Sequence, residues 1–278
     1  MKLSNIKPVD NRLAKSVIHR PKKSLGQNFL INAGILEKIV SVAELGPDDT
    51  VLEIGPGTGN LTKLLSEKAG QVIALEKDRW LIEELKKKFR NTNVEISEGD
   101  VLKYFDIWKY QSIKEKEYKI VANIPYYITS RLLRMIFEAW PKPKLIVLTV
   151  QKEVAKRIAA KPPDMNLLAL SVQLYAEPKI VSYVSRGSFS PMPKVNSAII
   201  KLTPHGQLPS TDPAKLFKLI KVGFSGKRKQ LVNNLAKNFG MMKGDILKIF
   251  EKTGIEPAIR AENLSLNQWI ELSRHMVK

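Results

Sequence analysis

The sequence predicts an α/β fold, a mostly parallel sheet with helices on both faces, followed by a small all-α domain. Three observations carry this. From residue 50 onward, short apolar runs alternate with stretches whose apolar residues recur at helical spacing, the rhythm of a parallel sheet. After residue 170, YAEPKIVSYVS and SAIIKLTPH follow one another with no long helix between them, which suits an antiparallel pair at one sheet edge. Beyond TPHGQLPSTDP, a linker rich in Gly, Pro, Ser and Thr, only helical patterns remain.

Taken in order, residues 1–20 read as a basic tail, 21–207 as the α/β domain and 208–278 as the helical domain. TVLEIG is a short apolar run ending at glycines, and NLTKLLSEKA follows with Leu61, Leu64 and Leu65 at helical spacing. QVIALE is the second buried strand. The next helix places Leu81, Leu85 and Phe89 on one face. VEISEGD, YKIVANI and KLIVLTV continue the series, and Leu133, Ile136, Phe137 and Trp140 mark the helix between the last two. With the later pair this makes seven strands. The C-terminal helices are marked by Leu216 to Ile220, by Leu231, Leu235 and Phe239, by Ile246 to Phe250, and by Leu266 to Met276.

Composition narrows the function. The chain has 278 residues with 44% hydrophobic, enough for a sizeable core, and no apolar run reaches the ~18–20 residues that span a bilayer. The N-terminus is basic without a continuous apolar segment, so no secretory signal and a cytoplasmic location are expected. There are no cysteines, which excludes disulfides, thiolate metal sites and a cysteine nucleophile; three scattered histidines, His19, His205 and His275, make a metal site unexpected. The net charge of +19 points to a polyanionic partner. Residues 1–30 hold seven Lys and Arg against one acid, and residues 204–278 hold thirteen against six, so the charge occupies two separate regions.

EIGPGTGN, residues 53–60, lies between a predicted strand and helix, where glycines allow a tight turn and close approach of a ligand. Alone, such a loop serves a dinucleotide, a nucleoside or only a connection. Glu76 ends the second strand, placed to accept from ribose hydroxyls, and Asp100 ends the third, placed to accept from an adenine amino group. Polar groups at three consecutive strand ends mark the edge where open α/β sheets bind ligands. No Walker lysine follows, and the glycine spacing is not the dehydrogenase G-x-G-x-x-G. The E-x-G-x-G-x-G pattern resembles the first motif of S-adenosylmethionine-dependent methyltransferases.

NIPYY, residues 123–127, ends the fourth strand and resembles the Asn/Asp-x-Pro-Tyr/Phe signature of methyltransferases acting on exocyclic amines. By that resemblance the Asn123 side-chain oxygen and the Ile124 carbonyl accept hydrogen bonds from the target amine, and Tyr126 stacks on the base. An aromatic amine is a weak nucleophile, and two acceptors on its hydrogens stabilise the positive charge that develops during attack. Methylation at pyrimidine C5 normally needs a cysteine adduct, which this chain lacks. Phe189, before the proline-stiffened loop SPMPKV, is expected to sandwich the base against Tyr126.

Together the motifs resemble the small-subunit ribosomal RNA adenine dimethyltransferase family over residues 21–276. SLGQNFLIN matches its N-terminal motif and implies cofactor contacts at Asn28 and Leu30; EIGPGTG implies Gly55; ALEKD, EGD and NIPY imply Glu76, Asp100 and Asn123. VQKEVAKRI, FSPMPKVNSAIIKL, FSGKRKQLVNNL and GIEPAIRAENLSLNQW match the later motifs. The resemblance implies a Rossmann-like methyltransferase fold and S-adenosylmethionine as cofactor. It also implies transfer of two methyl groups to N6 of each of two adjacent adenosines, in a hairpin loop near the 3′ end of small-subunit rRNA, by a monomer acting on assembling subunits. Given that partner, Lys227, Arg228 and Lys229 are expected to contact phosphates. Asn196 stands where the family usually has Asp, Tyr127 where Asn is common, and Ile124 where Leu is usual; AAKPPDMNLL is short for its loop. Two other readings are a resistance-type large-subunit rRNA adenine methylase, which shares NIPY and the glycine loop, and a non-catalytic RNA-binding assembly factor.

Overall fold

Apolar residues on alternate positions of buried strands must face two different layers, and this chain supplies both. The computed structural model describes residues 21–22, 25–103, 113, 117–208, 211–226 and 228–276; the expected basic tail at 1–20 lies outside them. Strands β1 (Phe29–Leu30), β2 (Thr50–Ile54), β3 (Gln71–Glu76), β4 (Val94–Glu98), β5 (Tyr118–Asn123) and β6 (Leu145–Gln151) precede β7 (Ala176–Val184), β8 (Phe189–Ser190) and β9 (Ser197–Pro204). The main sheet has the order β4-β3-β2-β5-β6-β9-β7. Its first five strands run parallel, whereas β9 is antiparallel to both β6 and β7. The antiparallel edge pair is therefore present, with the later strand β9 inside and β7 outermost.

Period two divides the sheet's side chains between its faces. Leu52, Ile54, Ile73, Ile120, Ile146 and Leu148 face one layer, formed by helices α4 (Thr129–Glu138), α5 (Lys152–Ile158) and α6 (Leu167–Gln173). Val51, Val72, Val121, Val147 and Ile199 face the other, formed by α1 (Ala33–Val42) and α2 (Asn60–Ser66). Helix α3 (Arg79–Lys88) packs Leu81 and Leu85 beside Phe29.

After β9 come α7 (Pro213–Gly223), α8 (Leu231–Phe239), α9 (Lys243–Lys252) and α10 (Leu266–Met276). Asp212 caps α7 by accepting from the Ala214 and Lys215 N–H groups, with Pro213 opening the helix; Gly240 at φ 66 closes α8. Trp269, Phe250 and Leu219 form the centre of this cluster, but Met165, Ala169, Leu170 and Leu174 from around α6 belong to the same core. Among the described residues no helix is long and apolar enough to cross a membrane.

Candidate active site

Parallel strands deliver their C-termini to one edge, and the strand order reverses between β2 and β5, the place where open α/β sheets bind ligands. A cleft open to solvent lies there. Asn28, Leu30, Gly55, Glu76, Asp100 and Asn123 all stand on its wall, as does Tyr126.

The glycine loop supplies its floor. Gly55 has φ +72, and a Cβ there would meet only Pro125 at 4.0 Å, so its bare side faces open space. At Gly57, φ +59, a Cβ would lie 2.7 Å from the Phe29 ring, so hydrogen alone lets that ring rest on the loop. The Lys88 ammonium donates to the Thr58 carbonyl at 2.9 Å and fixes the loop from α3. Lys22 and Gln27 both reach Asp78, at 2.8 and 3.1 Å, and hold the N-terminal segment against the cleft. The sequence reading assigned no role to Phe29, Lys88 or Asp78. Asp78 sits two residues past the strand-ending Glu76, where a helix N-cap is readable, but its partners are remote in sequence.

The carboxylates differ in state. Glu76 accepts from the N–H groups of Lys77 at 2.8 Å, Asp78 at 2.9 Å and Gly57 at 3.2 Å. Burial pushes its pKa up further than these donors pull it down. At Asp100 burial acts upward too, but the Lys77 hydrogen bond at 2.9 Å and the Leu102 N–H outweigh it and hold the group below the usual range. Glu53 lies on the cleft floor, 1% exposed. Its Oε2 has no hydrogen-bond partner among the described residues. Burial pushes its pKa up to about 8; the Thr62 hydroxyl acts the other way and the Glu76 charge adds to the rise, so the site favours the protonated acid.

At the end of β5 the Asn123 amide nitrogen donates to the Asn28 carbonyl at 3.1 Å. No donor among the described residues takes its Oδ1, so the acceptor end belongs to the cleft. Pro125, φ −57, turns the chain into a short 3-10 helix, Tyr126–Ile128. The Tyr126 phenol is fixed by Ser197 Oγ at 2.6 Å. Phe189 is placed elsewhere. It pairs with Leu30 across the β1–β8 ribbon, is 3% exposed and packs with Val184 and Ile199, and it is not among the residues that line the cleft. Strand pairing with a segment far away in sequence turns Phe189 inward and leaves Ser190 outward. Arg228 and Lys229 are exposed at the start of the α8 region, away from the cleft wall, and Lys227 lies outside the described residues. Among the described residues no cluster of His, Cys, Asp or Glu is arranged to hold a metal.

Carboxylate and amide acceptors at successive strand ends, around a glycine turn with no phosphate-binding lysine, are the layout of a Rossmann-like methyltransferase. Solved structures agree on the class. The 23S rRNA methyltransferase ErmE superposes with a TM-score of 0.74 at 26% identity, covering 90% of this chain and 100% of that one. A dimethyladenosine transferase from Plasmodium falciparum superposes at 0.73 with 33% identity, covering 88% and 95%. The chain belongs to the ribosomal RNA adenine dimethylase family, whose profile matches residues 18–278. The ribosomal RNA small subunit methyltransferase A of Dehalococcoides mccartyi (strain ATCC BAA-2266 / KCTC 15142 / 195) is 47% identical over 254 residues, 90% of this chain and 86% of that protein. The protein of the same description from Lachnoclostridium phytofermentans is 42% identical, covering 91% and 90%.

Proposed function

We propose that this chain transfers methyl groups from S-adenosylmethionine to N6 of two adjacent adenosines in a hairpin loop near the 3′ end of small-subunit rRNA. The products are N6,N6-dimethyladenosines, made by a cytoplasmic monomer on assembling subunits. The observation that carries the reaction type is the Asn123 amide: its nitrogen is held by Asn28, which leaves an oriented oxygen at the cleft.

The cleft fits the cofactor. Gly55 presents a bare surface to open space, and Glu76, held by three N–H groups, directs carboxylate oxygens where ribose hydroxyls would donate. Asp100 stays ionised and accepts at the next strand end. Asn28 and Leu30 close the wall from β1. When bound, the cofactor supplies a methyl group on a sulfonium, an electrophile that needs no covalent enzyme nucleophile. Asn123 Oδ1 and the Ile124 carbonyl accept from the target amino group and hold its lone pair toward that methyl. Tyr126, anchored through its phenol, offers its ring to the extruded base. Arg228 and Lys229, with Lys227, contact RNA phosphates.

Identity favours the small-subunit target, 47% against 26% for the 23S rRNA enzyme. Likeness to that enzyme supports large-subunit RNA as the second reading. Glu76, Asp100 and Asn123 together on one cleft weigh against a non-catalytic factor. The test is to incubate the full chain with labelled methyl donor and undermethylated small subunits, then map modified nucleosides by mass. Two neighbouring adenosines, each carrying two methyl groups, are expected. Label that enters only large-subunit RNA supplied in parallel would transfer the assignment to the second reading.

A further inference from the structure

We propose that Tyr183, with Lys152 beside it, is a stacking platform for an unpaired nucleobase flanking the target adenine. The proposal deepens the reading of the cleft as an RNA adenine methyltransferase site and rests on it.

Tyr183 lies near the C-terminal end of β7, which β9 aligns parallel to β6 and hence to β5, so it opens on the same sheet edge as the cleft. Its neighbour Val184 pairs with Ser197, the residue that anchors the Tyr126 phenol. Three strand spacings separate β5 from β7, about 14 Å at the usual distance between strands. That is within reach of a nucleotide close to the target on the same strand.

The ring is presented rather than packed. Tyr183 is 53% exposed, although it occupies a strand, and the Lys152 ammonium sits 4.9 Å from its centroid. A cation over one face leaves the remaining face for a base, and the same ammonium complements a phosphate. The corner is built around Asn196: its carbonyl accepts from the Lys152 N–H at 2.9 Å, and its Oδ1 accepts from the Arg186 N–H at 3.1 Å. One residue thus ties the start of α5, through its backbone carbonyl, to the β7–β8 turn, through its side chain. Arg186 and Lys194 are exposed beside it, with Met192 and Val195 exposed between β8 and β9. The acid next to Lys152, Glu153, is engaged by Lys156 at 3.2 Å, so the patch is positive. Positive charge around an open aromatic ring fits single-stranded RNA.

The test uses the full chain and undermethylated small subunits. Tyr183→Ala is expected to raise KM for subunits about tenfold, the scale of losing one base stack, with kcat nearly unchanged. Tyr183→Phe is expected to restore the wild-type value. Calorimetric affinity for S-adenosylhomocysteine should match wild type in both, which separates the platform from the cofactor cleft and reports an intact fold. A photo-crosslinker, Tyr183→p-benzoylphenylalanine, is expected to attach to rRNA within a few nucleotides of the methylated adenosines. An unchanged KM in Tyr183→Ala overturns the proposal, as does failure of Tyr183→Phe to restore it. Cross-linking to a ribosomal protein, to distant rRNA or to nothing overturns it too. Wild-type protein that methylates no rRNA removes the functional reading and the platform with it, whereas methylation with an indifferent Tyr183 removes the platform alone.

Discussion

Asn123 donates one amide N–H to the Asn28 carbonyl, which fixes the side chain with its Oδ1 free to accept. Asn123→Ala removes that acceptor and leaves Glu76 and Asp100, the carboxylates proposed to hold the cofactor, in place. We expect kcat to fall by about 10²–10³, the usual loss for one charge-stabilising group, while S-adenosylhomocysteine affinity stays within several-fold. Single-turnover methylation and calorimetry check the two halves. Glu53 yields a second prediction. Its native pKa, about 8, exceeds the value of 4.5 expected in the unfolded chain, so between these limits the native state holds a proton that the unfolded state releases. Its contribution to stability is full below pH 4.5 and is lost as pH rises toward 8. Glu53→Gln abolishes this dependence, so its thermal midpoint relative to wild type should rise from pH 5 to pH 8.5 in the absence of cofactor; a constant difference would contradict a neutral Glu53. Residue type and strand-end position made the placement of Glu76, Asp100 and Asn123 at one sheet edge legible in the sequence, and all three line the cleft. The protonation of Glu53 and the burial of Phe189 were not, because each depends on neighbours that only the folded chain assembles.

Among the elements, the long apolar runs were readable because both sheet faces are covered, which makes strands such as Leu145–Gln151 mostly apolar. The β1–β8 ribbon was not, since two-residue strands contain no period. Helix α6 is two turns long and equally silent, although Asn166 caps it by accepting from the Leu168 and Ala169 N–H groups. Helix packing gives the third prediction. A Cβ on Gly223, the last residue of α7, would lie 2.3 Å from the Trp269 ring and 2.9 Å from Leu231. Alanine gains at most about 1 kcal/mol of helix propensity, less at a helix end, while overpacking a core costs about 1–3 kcal/mol. Trp269 is fully buried and has no room to retreat, so overpacking wins. Gly223→Ala should lower the denaturant midpoint with the slope unchanged; equal or greater stability would show that the Trp269 ring yields.

For the whole molecule, the +19 charge implies binding that weakens steeply with salt. Replacing Lys227, Arg228 and Lys229 together by glutamate should weaken rRNA binding and flatten the slope of log affinity against log salt by about two to three, if each contacts one phosphate. Filter binding across a salt series measures it, and an unchanged slope would exclude these side chains from the phosphate contacts. Composition located the change of rhythm: β9 ends at Pro204 and α7 starts at Pro213, around the linker read at TPHGQLPSTDP. It could not show that Met165, Leu170 and Leu174 share a core with Phe250 and Trp269, because that depends on which faces meet. This common core joins the helix layer of the sheet to the C-terminal helices. A chain severed near residue 208 would strip the cover from those leucines and become sticky instead of yielding a clean half-enzyme.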